Sequence, residues 1–170
     1  LEPPTPPPNA APLVAVGDVH ADRATFATRT SGYSRAWVTV GKVEGAETWR
    51  SEDSDVRPSQ DFTAQFTVRE LPPQTELFFT VHGSTTSAPD AGQPLFSGRF
   101  STAPTAETPA AVTMALIGDL GGQQWCRPVD GGYAILGSVL RAEPDLLIAN
   151  GDMIYADGDC PERAPDGAAQ

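Results

Sequence analysis

Two short apolar runs, each ending in Gly-Asp, constrain this chain more than any other feature. The first is Val112-Thr113-Met114-Ala115-Leu116-Ile117, followed by Gly118-Asp119-Leu120-Gly121-Gly122. The second is Leu146-Leu147-Ile148-Ala149, followed by Asn150-Gly151-Asp152-Met153-Ile154-Tyr155-Ala156-Asp157-Gly158. Between them, Ile135, Leu136, Val139 and Leu140 recur at helical spacing and give residues 133–141 one apolar stripe. Glu143-Pro144 ends that helix, because proline cannot continue it and restricts the residue before it. Strand, helix, strand predicts a βαβ unit with parallel strands and a right-handed crossover. Both Gly-Asp pairs then lie just past the carboxyl ends of neighbouring strands, the edge where open α/β sheets bind ligands. Asp119 and Asp152 should converge there.

Two converging carboxylates repel unless they hold a cation or share a proton. Hard cations prefer oxygen ligands, and a bridging carboxylate can hold two metals roughly 3.5–4 Å apart for in-line attack on phosphorus. Glycine before each Asp is expected to let the backbone turn sharply as it leaves the sheet. Tyr155 follows Asp152 by three residues and returns to the same edge if the chain makes one turn there; its phenolate is a hard anionic ligand suited to a ferric ion. A single Gly-Asp after a strand reads equally well as a plain turn. Two copies at the ends of one βαβ unit, with the tyrosine, favour a metal site.

The blocks Gly118-Asp119-Leu120-Gly121 and Gly151-Asp152-Met153-Ile154-Tyr155 resemble the first two metal-binding blocks of the calcineurin-like metallophosphoesterases. They are closest to the purple acid phosphatase and alkaline phosphatase D branches, where the second block reads Gly-Asp-x-x-Tyr. The resemblance implies a dinuclear centre, Fe(III) with a divalent ion such as Ca, Zn, Mn or Fe. In it Asp119 ligates the first metal, Asp152 bridges both, and Tyr155 binds the ferric ion. Those branches carry an all-β domain ahead of the catalytic one, so the resemblance covers nearly all of the chain after residue 12. The family's Gly-Asn-His block and its two later histidine blocks do not occur here, and the two histidines, His20 and His82, precede the first motif. The expectation is half a metal site, on an N-terminal fragment or cleaved piece whose C-terminal remainder supplies the histidines.

The rest of the chain fits that arrangement. Residues 1–12 hold prolines at 3, 4, 6, 7, 8 and 12 and read as a stiff, extended lead. Residues 13–103 read as a β-sandwich of fibronectin III or immunoglobulin-like type. Phe62, Ala64, Phe66 and Val68 alternate with Thr63, Gln65, Thr67 and Arg69, and further strands are predicted at 24–28, 36–40, 77–81 and 96–100. The run from Leu71 to Phe79 resembles the Leu-x-Pro-x-Thr-x-Tyr-x-Tyr turn of fibronectin type III modules, with Phe in place of the hydroxylated aromatic. Residues 16–22 and 98–104 resemble the opening and closing segments of the β domain in alkaline phosphatase D relatives. Residues 104–111 form a linker, and 112–170 the start of a catalytic domain.

Among the remaining polar residues, Asp18 and His20 read as a solvated turn, and His82 as solvent-facing because it alternates with the buried set of its strand. Trp37 and Trp49 read as packing anchors. Arg127, in the loop after the first motif, is the best basic candidate for gripping phosphate oxygens bidentately. Cys126 and Cys160 belong to loops over the same edge and are expected to pair if the protein is exported, the alternatives being a soft metal ligand or two free thiols.

Charge bounds the partners. The formal net charge of −11 over 170 residues argues against nucleic acid or an anionic membrane, so positive charge for a phosphate must come from metals. No apolar run has transmembrane length. A start at Leu1 without Met fits an export signal already removed, hence a secreted or periplasmic protein. The resulting reading is an exported metallophosphoesterase acting on phosphate esters, with residues 1–170 alone inactive. The alternative is a non-catalytic β-sandwich binding module with a vestigial α/β appendage.

Overall fold

A computed structural model describes residues 12–86, 92–122, 124–128, 132–153, 155 and 159–169. The proline-rich lead up to residue 11, Gln123, Ile154, residues 156–158 and Gln170 lie outside the described residues. The chain divides into two compact units, Leu1–Pro109 and Ala110–Gln170.

The first unit is a β-sandwich. One sheet is antiparallel in the order β1 (Leu13–Gly17), β2 (Arg23–Arg29), β6 (Thr63–Arg69). The other runs β4 (Trp49–Arg50), β3 (Arg35–Gly41), β7 (Glu76–Ser84), β8 (Gln93–Ser101), with β5 (Ser54–Asp55) also paired to β3. Side chains alternate across each strand, and the inward sets of both sheets meet: Ala24, Phe26, Phe66 and Val68 from one, Ala36, Val38, Val40, Leu77, Phe79 and Val81 from the other. Phe26 is fully buried, its ring 5.1 Å from that of Phe79 and 5.5 Å from that of Phe100. Burial on this scale contributes about 1.5–3 kcal/mol for each large apolar side chain. Trp37 is buried and Trp49 packs on the core, as anchors should.

The turn between β6 and β7 lacks an aromatic hydroxyl and is tied from elsewhere. Thr102 Oγ1 donates to the Pro72 carbonyl at 2.6 Å and accepts from the Thr75 amide at 3.0 Å, so the end of β8 closes this corner.

His82 corrects a sequence expectation. Its side chain does leave the core face, yet it is only 9% exposed. The cross-strand neighbour Trp37 stacks on the imidazole at 5.4 Å with planes 3° apart, Thr39 Oγ1 lies 2.9 Å from Nε2, and Glu47 lies at 3.4 Å. Gly92 seals this outer face: a Cβ there would overlap the Trp37 indole. Period-two alternation distinguishes two faces but says nothing of whether a loop covers the second.

The second unit holds β9 (Met114–Ile117), α1 (Ala134–Ala142) and β10 (Leu146–Ala149). The strands pair in parallel, Met114 beside Leu146 through Ile117 beside Ala149, and Asp145 anchors the register by accepting from the Thr113 amide at 2.8 Å. Glu143 takes a left-handed conformation at the helix end, and Pro144 follows. Leu136 and Val139 are half-buried, while Met114, Leu116, Leu140 and Ile148 remain exposed. Among the described residues, no helix is long and apolar enough to cross a membrane.

Candidate metal centre

The parallel strands deliver the two motif aspartates to one edge. The Asn150 amide donates to the Ile117 carbonyl at 2.7 Å, extending the ladder past β10, and the Leu120 amide donates to the Asp152 carbonyl at 3.0 Å. The two loops are therefore stitched together at the aspartates themselves. Both aspartates take left-handed backbone conformations, with φ 51° at Asp119 and 53° at Asp152. Such a conformation costs energy for a side chain with a Cβ and persists where the surroundings dictate it, as at ligand sites.

Gly118 behaves otherwise than its position before Asp119 implied. Its φ is not positive, and a Cβ there would meet nothing closer than 3.6 Å. The sharp departure from β9 is made by Asp119 itself. After β10 both residues contribute, Gly151 at φ 82° and then Asp152.

Tyr155 closes the site. Its Oη donates to Asp119 Oδ1 at 2.7 Å and lies 3.2 Å from Asp152 Oδ2. The hydrogen bond to Asp119 is the main reason that the phenol pKa is raised, with desolvation and the two negative charges acting in the same direction. The phenol hydroxyl thus stands within hydrogen-bond distance of both carboxylates. The ring rests on the Gly121–Gly122 turn, where Gly122 and Trp125 exchange backbone hydrogen bonds of 2.8 and 2.9 Å. Sequence reading passed over this turn, although the Gly-Gly pair marked it.

Cys126 and Cys160 form a disulfide with a Cα separation of 6.0 Å. It joins the loop after Asp119 to the loop after Asp152, settling the pairing against free thiols or a soft metal ligand. Arg127 is exposed, with Nε near Gly132, and makes no ion pair among the described residues. It stands in the loop after the first motif but makes no hydrogen bond to Asp119, Asp152 or Tyr155. His20 lies in an exposed loop of the first unit, its Nε2 2.8 Å from Asp18 Oδ1.

Three converging oxygen groups, two carboxylates and a phenol, suit a hard cation in kind. They form an incomplete set: among the described residues, no group of three or more His, Cys, Asp or Glu is placed to hold a metal.

The N-terminal domain family of the PhoD-like phosphatases matches residues 4–104. The solved structure of PhoD is similar at 19% identity and a TM-score of 0.67, covering 91% of this chain and 30% of that one. The chain therefore spans less than a third of that structure's length. A computationally redesigned β-sandwich protein matches at 17% identity and a TM-score of 0.40, covering 57% of this chain and 98% of that one, a likeness that carries no argument. No curated protein matches the chain. The matched domain takes up more than half of the sequence, and on that ground the chain belongs to the PhoD-like phosphatase family.

Proposed function

We propose that this chain carries the β-sandwich and the first metal-binding half of an exported, metal-dependent phosphoesterase. The observation that carries the reading is the convergence of Asp119, Asp152 and Tyr155 at the ends of two parallel strands. Family membership supports a phosphate ester as substrate. In this reading residues 13–103 are a fibronectin III-like sandwich, 104–111 a linker and 112–170 the start of the catalytic domain. The disulfide supports a secreted or periplasmic location.

Asp119 and Asp152 would hold a dinuclear centre of Fe(III) and a divalent ion (Ca, Zn, Mn or Fe), with Asp152 shared between the two. When bound, such a pair supplies positive charge for the phosphoryl oxygens and lowers the proton affinity of the attacking water. The chain's own residues prepare the place. The left-handed backbone at each aspartate turns the chain across the strand ends, and the Leu120–Asp152 hydrogen bond keeps the two loops in step. Tyr155, whose Oη lies 2.7 Å from Asp119 and 3.2 Å from Asp152, would supply its phenol oxygen as a further ligand. Arg127, in the loop after the first motif, would offer its guanidinium fork to phosphate oxygens.

Two carboxylates and a phenol fall short of the roughly six oxygen donors that a hard divalent ion takes. Residues 1–170 alone would therefore hold metal weakly and turn nothing over, and the remaining ligands would come from a C-terminal partner segment. The test is metal content and hydrolysis of an aryl phosphate by the intact protein, wild type beside Asp152→Asn. Loss of both in the variant is expected. Unchanged metal content and turnover in Asp152→Asn would overturn the assignment.

A further inference from the structure

We infer that Gly122 is a positioning residue for Tyr155, aiming the phenol between Asp119 and Asp152 by presenting no side chain to the ring. The inference rests on the reading of Tyr155 as a ligand. It begins from the turn: Gly122, at φ 96°, is bonded in both directions to Trp125, so a retreat of its backbone would strain both hydrogen bonds. A Cβ at Gly122 would stand 3.2 Å from Tyr155 Cε1, 3.3 Å from Cζ and 3.4 Å from Cδ1, closer than ordinary van der Waals contact. All three atoms belong to the phenol ring, so the ring is the group that must yield.

The ring has room to yield toward solvent. Tyr155 is 37% exposed, so part of its surface faces solvent. Displacement of the ring carries Oη with it, and Oη sits 2.7 Å from Asp119 Oδ1 and 3.2 Å from Asp152 Oδ2, the second already at the long end of hydrogen-bond geometry. Gly121 has a different task. A Cβ there would stand 2.8 Å from the Trp125 carbonyl, so Gly121 preserves the turn while Gly122 preserves the seat of the ring.

The experiment compares Gly122→Ala, Tyr155→Phe and the double variant with wild type in the intact protein. Three quantities are read: the Tyr155 ring resonances in the metal-free protein, the dissociation constant for ferric ion supplied from a chelate buffer, and the melting temperature. Gly122→Ala should shift the Tyr155 resonances and abolish the cross-peak between the Gly122 α-protons and the ring. It should weaken ferric binding about tenfold or more, as loss of a supporting group around a metal ligand typically does. In the Tyr155→Phe background the same substitution should change binding less than about twofold, because the group it acts through is gone. The backbone strain that alanine brings at this φ lowers the melting temperature in both backgrounds and cancels in that comparison. Equal weakening in both backgrounds, or unmoved Tyr155 resonances, would overturn the inference. If wild type takes up no ferric ion, the metal reading fails, and the ring resonances still decide whether Gly122 positions Tyr155.

Discussion

Tyr155 donates its phenol proton to Asp119 across two loops, Oη to Oδ1 at 2.7 Å, while Asp152 stands 3.2 Å from the same oxygen. The phenol thus brings a hydrogen-bond donor to a place where the parallel strands bring two carboxylates together. On the proposed reading of Tyr155 as a ligand, proton and metal would compete for its phenol oxygen.

That competition has a sign. A phenol is protonated at neutral pH even at its ordinary pKa, and the Asp119 hydrogen bond raises that pKa further, so a cation that takes the phenolate as ligand must displace its proton. Ferric affinity should rise with pH, and uptake should release a proton that Tyr155→Phe does not release. Calorimetry in buffers of different ionisation enthalpy measures the difference. Equal proton release by the two proteins would refute the competition.

Asp152→Asn should reduce metal content and phosphoesterase activity far more than Asp119→Asn. A carboxylate shared by two cations serves both, and its loss loosens the whole centre. Metal analysis and turnover of the two variants in the complete protein decide the matter, and equal losses would count against a bridging role for Asp152.

The disulfide between Cys126 and Cys160 closes a loop that contains the helix and the second strand. Replacing both cysteines by serine should lower stability by ~2–4 kcal/mol, mainly through the freer unfolded chain. Denaturant unfolding of the two forms measures it. Thiol titration of the unfolded, unreduced wild type should find neither cysteine free.

His82 should make the protein sensitive to acid. Burial lowers its pKa and Arg50 adds to the effect, while Glu47 opposes it. The native state therefore favours the neutral imidazole. Its contribution is present above the unfolded pKa of about 6.5 and is lost as pH falls through the lower, folded value. The unfolding midpoint should drop between pH 7.5 and pH 5, and His82→Gln should flatten that drop. A variant with the wild-type pH slope would show that other groups govern it.

Phe26→Ala should cost ~3–5 kcal/mol, because the ring is fully buried against Phe79 and Phe100 and its removal leaves a cavity that two sheets cannot close. Val43→Ala, at a position 63% exposed, should change the unfolding free energy by less than about 0.5 kcal/mol and serves as the control.

Much of this protein is written in local order. The alternation through residues 62–69 sets which side chains of β6 face the core, and Phe66 and Val68 are buried as that phase demands. The helical stripe, the Glu143-Pro144 stop and the two Gly-Asp endings place a helix between two strands, because periodicity and proline act within a few residues of themselves. The two-residue strands β4 and β5 were beyond such reading, since a pattern of period two needs several residues to declare itself. Other features depend on atoms distant in sequence and were decided only in three dimensions. His82 is buried because Trp37, from another strand, stacks on it and Gly92 seals the indole. The left-handed turns at Asp119 and Asp152 arise where the two loops bond to each other, through Leu120 and the Asp152 carbonyl. The residue types at 119, 152 and 155 announced that a cation or a proton must lie among them. Which contacts tie these groups together is a matter of through-space distance: Tyr155 Oη lies 2.7 Å from Asp119 Oδ1 and 3.2 Å from Asp152 Oδ2.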